Sequence, residues 1–437
     1  MHYGATLDVV ADLPLNPSLR VALDVTPLGR GRFYPRGRTG LFRVAAELSL
    51  ALSEALGERL QLVAVECRGE AEESLHEAGF VRARVLRSGF DRALFPLIRK
   101  LTVPADFQPS RGLSERRRKI FRTLVNGIEW MGGAPQSVRR SVDLCHSVFL
   151  PISQLRMGEV PSVVTVHDLL PLVEPQFFGE SDRINLRRVV EDIKRGAYAH
   201  CVSQATERAL LKFAPETAAR TFVAPLAANP RRFYPATEDM ISQFRLALGL
   251  GKSPYFLTVG TLDPRKNLQT VLAAFAEVAQ HQPDARLVLV GAKARGHDPL
   301  TPVIERHRIG DKCLLTGFLP DEMLRAAYHG ALAFLFPSHG EGFGLPILEA
   351  MSCKGVVIAS NNTSIPEVVG SAGVLLPATD VAAWAQAMTS LAVDSETRLS
   401  LAERGYRRAQ TFSWTRTAET LVSRYQEVIK KSERVRA

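Results

Sequence analysis

The chain has 437 residues, enough for two or three domains. With 46% hydrophobic and 23% charged residues and a mean hydropathy of −0.01, disordered and fibrous classes are excluded. The net charge of +10 is local, because Arg82–Arg122 holds twelve Lys and Arg against three Asp and Glu while the rest is nearly neutral.

No run of 18 apolar residues occurs, so no spanning helix is expected. The first twenty residues carry acids and lack a basic start with an apolar core. A secretory signal is therefore not expected, and a cytoplasmic location is. The five cysteines (67, 145, 201, 313 and 353) form no C-x-x-C pair. They read as buried reduced thiols rather than a disulfide framework or a structural zinc site.

In chain order, the first strand is expected at RVALDVT (20–26). A Gly/Arg-rich loop (29–40) follows, then LFRVAAELSLALSEAL (41–56) with helical spacing, then the strand LQLVAVE (60–66). That order predicts a parallel α/β unit. Residues 67–141 hold the basic cluster and show no clear parallel strand. Within them Ser114 is a candidate cap for a helix through residues 115–131, with Ile120, Leu124 and Ile128 on one face. Further strands are expected at 142–147, 161–168, 199–203 and 221–225.

Residues 226–253 combine prolines, a Gly-x-Gly and a short helix, and read as a linker. A second strand series follows at 255–260, 285–291, 312–317, 332–337, 355–360 and 373–377. The stretch from Phe412 is an amphipathic helix with Ser413 as N-cap and Trp414, Leu421, Val422, Tyr425, Val428 and Ile429 on one stripe. The pattern predicts two doubly wound, Rossmann-like domains, 1–225 and 254–411, facing a central cleft, with a C-terminal helix at 412–437. In such sheets ligands bind at the carboxyl ends of the strands.

Four segments carry chemistry at such positions. HGEGFGLPILEAM (339–351) follows an apolar strand. Gly342 and Gly344 open a loop, Pro346 sits in a first helical turn, and the helix start offers amides to an anion. Glu349, one turn in, could accept hydrogen bonds from a ribose diol. Gly-rich turns with capping acids also occur in α/β proteins for structural reasons alone. In GTLDPRKN (260–267), Arg265 and Lys266 suit a diphosphate, or form a solvated pair. RGRTGLFR (36–43) could bind phosphate through Gly37 and Gly40. In VVTVHDLLP (163–171), His167 and Asp168 end a buried strand, where a histidine is either functional or structural. D-x-D, H-x-x-x-H and G-x-S-x-G are absent from the sequence, so metal-bound diphosphate, catalytic zinc and a serine elbow have no support here.

With these residues in view, the chain resembles glycosyltransferase family 4, the retaining GT-B enzymes, over nearly its whole length. SHGEGFGLPILEAM (338–351) is similar to the family's Glu-x7-Glu signature, and VGTLDPRKN (259–267) to its phosphate-binding strand end. RTGLFRV (38–44) is similar to its TGIGR-type loop, VTVHDLLP to its V-x-HD-L segment, and NTSIPEVVGSAGVLLP (362–377) to a further family run.

The resemblance implies a metal-independent hexosyltransferase that needs no cofactor, takes a nucleotide sugar as donor, and binds its acceptor in the N-terminal domain. It implies that Arg265 and Lys266 hold the donor diphosphate and Glu349 the donor ribose, and that Glu341 sits near sugar and phosphate. The amides of Gly342, Phe343, Gly344 and Leu345 would cradle the diphosphate. His167 would hydrogen-bond the transferred sugar, Gly40 would lie under the phosphates, Gly260 would end the phosphate strand, and Phe318 and Leu319 would flank the base. The C-terminal helix would cross back to the N-terminal domain. Two features depart from the family: Thr261 stands where relatives carry Arg, and APLAAN (224–229) replaces a P-x-G-V-D hinge.

The TGIGR-like loop with PRKN is similar to that of bacterial relatives that use GDP-mannose or similar GDP-sugars, and this resemblance implies such a donor, with UDP- and dTDP-sugars open. The basic segment Arg82–Arg122, interleaved with apolar residues, suits an anionic bilayer surface. A glycan or lipid-linked acceptor and peripheral attachment to the inner membrane face follow as expectations. A nucleotide-sugar epimerase of the same fold and a non-catalytic binding protein remain as alternatives, and no nucleic-acid partner is expected.

Overall fold

The computed structural model describes residues 18–33, 40–65, 68–77, 85–86, 136–291 and 300–436. The candidate helix at 115–131 and nearly all of the basic segment Arg82–Arg122 lie outside the described residues.

Thirteen strands form two sheets among the described residues. The first contains β1 (Val21–Asp24), β2 (Leu60–Val63), β3 (Val85–Leu86), β4 (Leu144–Ser147), β5 (Ser162–Val166), β6 (Tyr198–Cys201) and β7 (Thr221–Val223). The second contains β8 (Tyr255–Val259), β9 (Arg286–Val290), β10 (Cys313–Gly317), β11 (Phe334–Phe336), β12 (Val357–Ser360) and β13 (Val374–Leu376). The sheet orders are β3-β2-β1-β4-β5-β6-β7 and β10-β9-β8-β11-β12-β13, with every pairing parallel. The short apolar runs suit this arrangement, because strands covered by helices on both faces need no polar alternation. Eleven of the strands fall inside the runs read from the sequence, and β6 begins one residue before its run. The two-residue β3 lies in the stretch that showed no strand pattern.

In each sheet the strand order reverses beside the first strand, between β1 and β4 and again between β8 and β11. Loops leaving neighbouring strands there part to opposite faces and open a crevice at the carboxyl edge. Within the expected linker, helix Glu238–Ala247 is capped by Thr237, whose hydroxyl accepts from Met240 N at 3.3 Å. It packs on helix Asp321–Gly330.

Helix Trp414–Arg436 packs along helix Gly40–Leu56. One continuous core joins both sheets through it: Leu421, Val422, Tyr425 and Val428 are buried with Leu48 and Leu52 of the first domain and Leu257 and Phe334 of the second. Beneath the helix runs a buried chain of hydrogen bonds. Its direction follows from its last acceptor, because the carbonyl of Ala224 can only accept. His200 Nε2–H therefore donates to Ala224 O at 2.8 Å, which leaves His200 Nδ1 as an acceptor for Thr165 Oγ1–H at 3.1 Å. Thr165 Oγ1 in turn accepts from His146 Nε2–H at 2.8 Å, and His146 Nδ1 accepts from Tyr425 O–H at 2.5 Å. Every group is satisfied only while both imidazoles are neutral.

Burial lowers His200 to about 4 and drives His146 well below the ordinary imidazole range. The unfolded chain therefore binds more protons than the folded one below pH ~6.5. The histidine contribution to stability is complete above that pH and is lost as pH falls toward 4. Asp24 opposes this: burial pushes it up to about 6, so its contribution is lost as pH rises through that value. Asp24→Asn is thus expected to steepen the acid loss of Tm between pH 6.5 and 4. Tyr425→Phe, which leaves a buried acceptor unpaired, should cost about 1–3 kcal/mol by urea unfolding at pH 7.

Candidate active site between the two sheet edges

The second sheet supplies the charge. β8 is followed by Gly260, at φ +150°, and the chain turns into the short 3-10 segment Pro264–Lys266. A Cβ on Gly291 would lie 1.7 Å from Gly260 O, so these strand-end loops pack at a distance that only glycine permits. The turn closes at Asn267, whose amide donates to Pro337 O at 3.1 Å and Ala378 O at 2.7 Å. Arg265 and Lys266 are thereby fixed opposite the loop that follows β11.

That loop carries Glu341. Its Oε1 accepts from Lys266 Nζ at 2.5 Å and Ser338 Oγ at 2.5 Å, and Arg265 Nη1 lies 3.0 Å away. Arg265 Nη1 also donates to Gly340 O at 2.7 Å. Burial alone would raise the Glu341 carboxyl, but the two cations outweigh it and lower it to about 2. Glu341 is an anion at any physiological pH.

The loop is tied down by residues of the NTS run: Thr363 Oγ1 accepts from Glu341 N at 3.0 Å, and Ser364 Oγ donates to the carbonyls of Glu341 at 2.9 Å and Phe343 at 3.0 Å. Gly344 takes φ +106° and starts helix Leu345–Ser352, with Pro346 in its first turn. Among the described residues, the amides of Gly342, Phe343 and Gly344 donate to no acceptor. Leu345 opens the helix beside them, and Phe343 packs edge-on against Phe412 at 5.9 Å.

One turn into that helix, Glu349 is 5% exposed. Burial raises its carboxyl, and its partners pull the other way. Tyr328 O–H donates to Oε2 at 3.3 Å. The other partner comes from the opposite domain: Arg43 Nη1 donates to Oε1 at 2.6 Å, and its Nη2 donates to Asp321 Oδ1 at 2.8 Å. Sequence reading missed Arg43, Asp321, Tyr328 and Ser338. The one available signal for Arg43 was its place at the end of the segment RTGLFR, three residues after Gly40. Gly40 itself begins helix Gly40–Leu56, with open space where a Cβ would stand.

The first sheet brings His167 and Asp168 to the same place. A Cβ on Gly342 would lie 1.7 Å from His167 O and 2.9 Å from Asp168 Cβ. The two domains thus touch backbone to backbone at the centre of the cleft. Gly342 O also accepts from Ser203 Oγ at 2.7 Å and Thr206 Oγ1 at 3.2 Å. His167 Nε2–H donates to Val148 O at 2.8 Å, and burial lowers its pKa, so the ring is neutral with Nδ1 as its acceptor.

Beside it, at the first sheet's reversal point, lies a hollow of about 110 Å³ lined by Thr26, Pro27, Arg30, Leu41, Phe42, Phe149 and Leu150. The Phe149 ring is 6.5 Å from that of His167. Phe318 and Leu319 part company: Phe318 is 72% exposed, while Leu319 is buried in the core.

Two facing parallel sheets with their carboxyl edges turned to one cleft define the GT-B fold. Residues 242–408 match the family model described as Glycosyl transferases group 1. Over 176 residues the chain is 40% identical to the O-antigen chain mannosyltransferase B of Escherichia coli, covering 39% of this chain and 45% of that protein. The match therefore spans less than half the length of that curated relative. Among solved structures, sucrose-phosphate synthase from Thermosynechococcus elongatus is similar with TM-score 0.67 at 23% identity, over 94% of this chain and 100% of that one. The Anabaena protein HepE in complex with UDP and glucose is similar with TM-score 0.63 at 20% identity, over 93% and 99%. At these identities the likeness is one of fold.

Gly342→Ala is expected to push the Gly342 loop off His167 and part the domains at the cleft. A larger radius of gyration by small-angle scattering, with far-UV circular dichroism unchanged, would show it. A radius equal to that of the unsubstituted protein would mean the loop yields locally instead.

Proposed function

We propose that the protein is a retaining, metal-independent glycosyltransferase that moves a mannose-type sugar from GDP-mannose to a glycan or lipid-linked acceptor in surface polysaccharide synthesis. The observation that carries the reading is the pairing of Arg265 and Lys266 on one carboxylate, beside the unpaired amides of Gly342 to Gly344. Cations and free amides so arranged suit a diphosphate. The O-antigen chain mannosyltransferase relative supports the sugar and the pathway. The UDP-bound neighbour of the same fold supports a nucleotide sugar as donor.

In this reading the diphosphate takes up the positive charge that Glu341 holds in the free protein. Glu349 accepts the hydroxyls of the donor ribose. His167 Nδ1 accepts a hydroxyl of the transferred sugar. The bond between C1 and the phosphate oxygen breaks, and the departing diphosphate is stabilised by Arg265, Lys266 and the loop amides. The acceptor oxygen attacks C1 from the same face, and its proton passes to the leaving phosphate oxygen. In this reading an acceptor sugar sits in the hollow next to His167, against Phe42 and Phe149. Among the described residues no helix is long and apolar enough to cross a membrane. The basic stretch Arg82–Arg122 is read as the contact with anionic lipid at the inner membrane face.

Thermal melting in EDTA with GDP, UDP, dTDP and ADP tests the donor. GDP at ~100 times its dissociation constant should add about 2.7 kcal/mol to stability. A shift with UDP alone would move the donor to a UDP-sugar, and a shift with none would remove the transferase reading. Lys266→Ala should lower kcat with GDP-mannose and acceptor by roughly 10²–10³-fold. Near-normal turnover in Glu341→Gln would overturn the role given to that carboxylate. Rearrangement of the donor without an acceptor would instead mark an epimerase.

A further inference from the structure

Glu349 has a side chain that its own domain does not complete. The carboxylate is 5% exposed, and the donor that its own domain supplies is the Tyr328 hydroxyl at 3.3 Å. An isolated carboxylate so buried takes up a proton rather than stay charged. A protonated carboxyl accepts poorly and cannot chelate two hydroxyls.

The compensating charge comes from Arg43, in the first turn of helix Gly40–Leu56 in the other domain, at 2.6 Å from Oε1. The guanidinium is itself held in place. Its second nitrogen binds Asp321 Oδ1 at 2.8 Å, and its plane lies 5.4 Å from the centre of the Phe233 ring. Asp321 Oδ2 takes Arg232 Nη1 at 3.1 Å, and Glu47, one turn beyond Arg43, takes Asn229 Nδ2 at 2.7 Å. Asn229, Arg232 and Phe233 all lie in the segment that joins the domains. Arg43 is therefore a fork between two carboxylates of the second domain, and its own orientation is set by the interdomain segment.

We propose that Arg43 is a positioning residue for donor recognition: it keeps Glu349 charged and aimed at the ribose diol, so that the ribose subsite of the second domain is complete only when the first domain is docked on it. The proposal rests on the reading of Glu349 as the ribose ligand. Oε1 has lone-pair capacity for both the guanidinium and a ribose hydroxyl, so donor binding need not displace Arg43. A lysine at position 43 reaches one carboxylate as a point charge but cannot bridge two. It restores part of the function.

The test is calorimetric binding of GDP and of 2′,3′-dideoxy-GDP to the full-length protein and to Arg43→Gln and Arg43→Lys. Unsubstituted protein should prefer GDP by roughly tenfold to hundredfold, as expected for hydroxyls donating to a charged acceptor. Arg43→Gln should bind GDP more weakly by a similar factor, bind the dideoxy nucleotide as the unsubstituted protein does, and so lose the preference. Arg43→Lys should fall between. In turnover the Arg43→Gln change should appear mainly as a higher KM for the sugar nucleotide.

If Arg43→Gln weakens both nucleotides equally, or binds GDP more tightly, the proposal is overturned while the donor reading stands. It is overturned in the same way if Arg43→Lys keeps the full ribose preference and Arg43→Gln does not fold. If the unsubstituted protein binds both nucleotides equally, Glu349 is not the ribose ligand and both readings fall together.

Discussion

A parallel sheet delivers its loops and polar side chains to one edge, where the sheet itself offers them few partners. Here two such edges face each other, and each neutralises charge buried on the other. Glu349 needs Arg43 from across the cleft, and Arg43 in turn holds Asp321. The loop of Gly342 rests on His167 and takes hydrogen bonds from Ser203 and Thr206. On the cleft's outer side Arg208 Nη2 reaches Glu367 at 2.9 Å, and Gln204 N donates to the same carboxylate at 2.9 Å. Of these groups, the Glu349 carboxylate would otherwise be buried without a counter-charge, and the polar contacts act together with the apolar core that spans both sheets.

The same constraint separates the two glutamates of one short segment. Glu341 and Glu349 lie on one loop and one helix, yet burial acts on them with opposite outcomes. Glu341 meets two cations from its own domain, which overcome desolvation and leave it permanently charged. Glu349 meets one cation, shared with Asp321, which offsets desolvation in part and leaves its carboxyl above the ordinary range. Paired carboxylates whose environments push them apart take different tasks. Glu341 is a resident counter-ion that holds Arg265 and Lys266 in register before an anionic ligand arrives. Glu349 depends on the state of the cleft, because its cation belongs to the other domain.

Much of the fold was legible because short apolar runs ending in Gly or Pro are a strong signal for buried parallel strands. Tyr255–Val259, Arg286–Val290 and Phe334–Phe336 are of this kind. Val85–Leu86 was not legible: two residues carry no period, and the flanking residues are basic. In the site, Arg265, Lys266, Glu341 and Glu349 could be named because each lies in a compact segment after a strand. Arg43 could not be paired with Glu349 from sequence, because 306 positions separate them and helical spacing reports nothing about the facing domain. Asp321 begins a helix and reads as an ordinary first-turn acid until the guanidinium is seen beside it. Phe318 illustrates the converse, since a position after a strand does not decide whether a ring is buried or stands in solvent.

The segment joining the domains shows where such a molecule can bend. Ala224 O closes the buried chain from Tyr425 through both histidines, and Pro225 O accepts from Thr417 Oγ1 at 2.6 Å. Farther on, Asn229 is tied to Glu47, its carbonyl accepts from Arg232 N at 3.1 Å and Phe233 N at 2.9 Å, and Arg325 donates to Arg232 O at 3.3 Å. Between these two anchored ends, Leu226, Ala227 and Ala228 meet the core through apolar side chains, with no hydrogen bond among the described residues. Dispersion contacts are non-directional and survive small rotations, whereas hydrogen bonds weaken steeply with angle. A rotation of one domain on the other is therefore cheapest at 226–228. A pivot there leaves the anchored chain under the C-terminal helix intact and moves the contacts that cross the cleft, Arg43 with Glu349 among them. The helix that crosses from the second domain to the first holds the pivot's first end, so closing the cleft and keeping the helix docked are compatible demands on one structure.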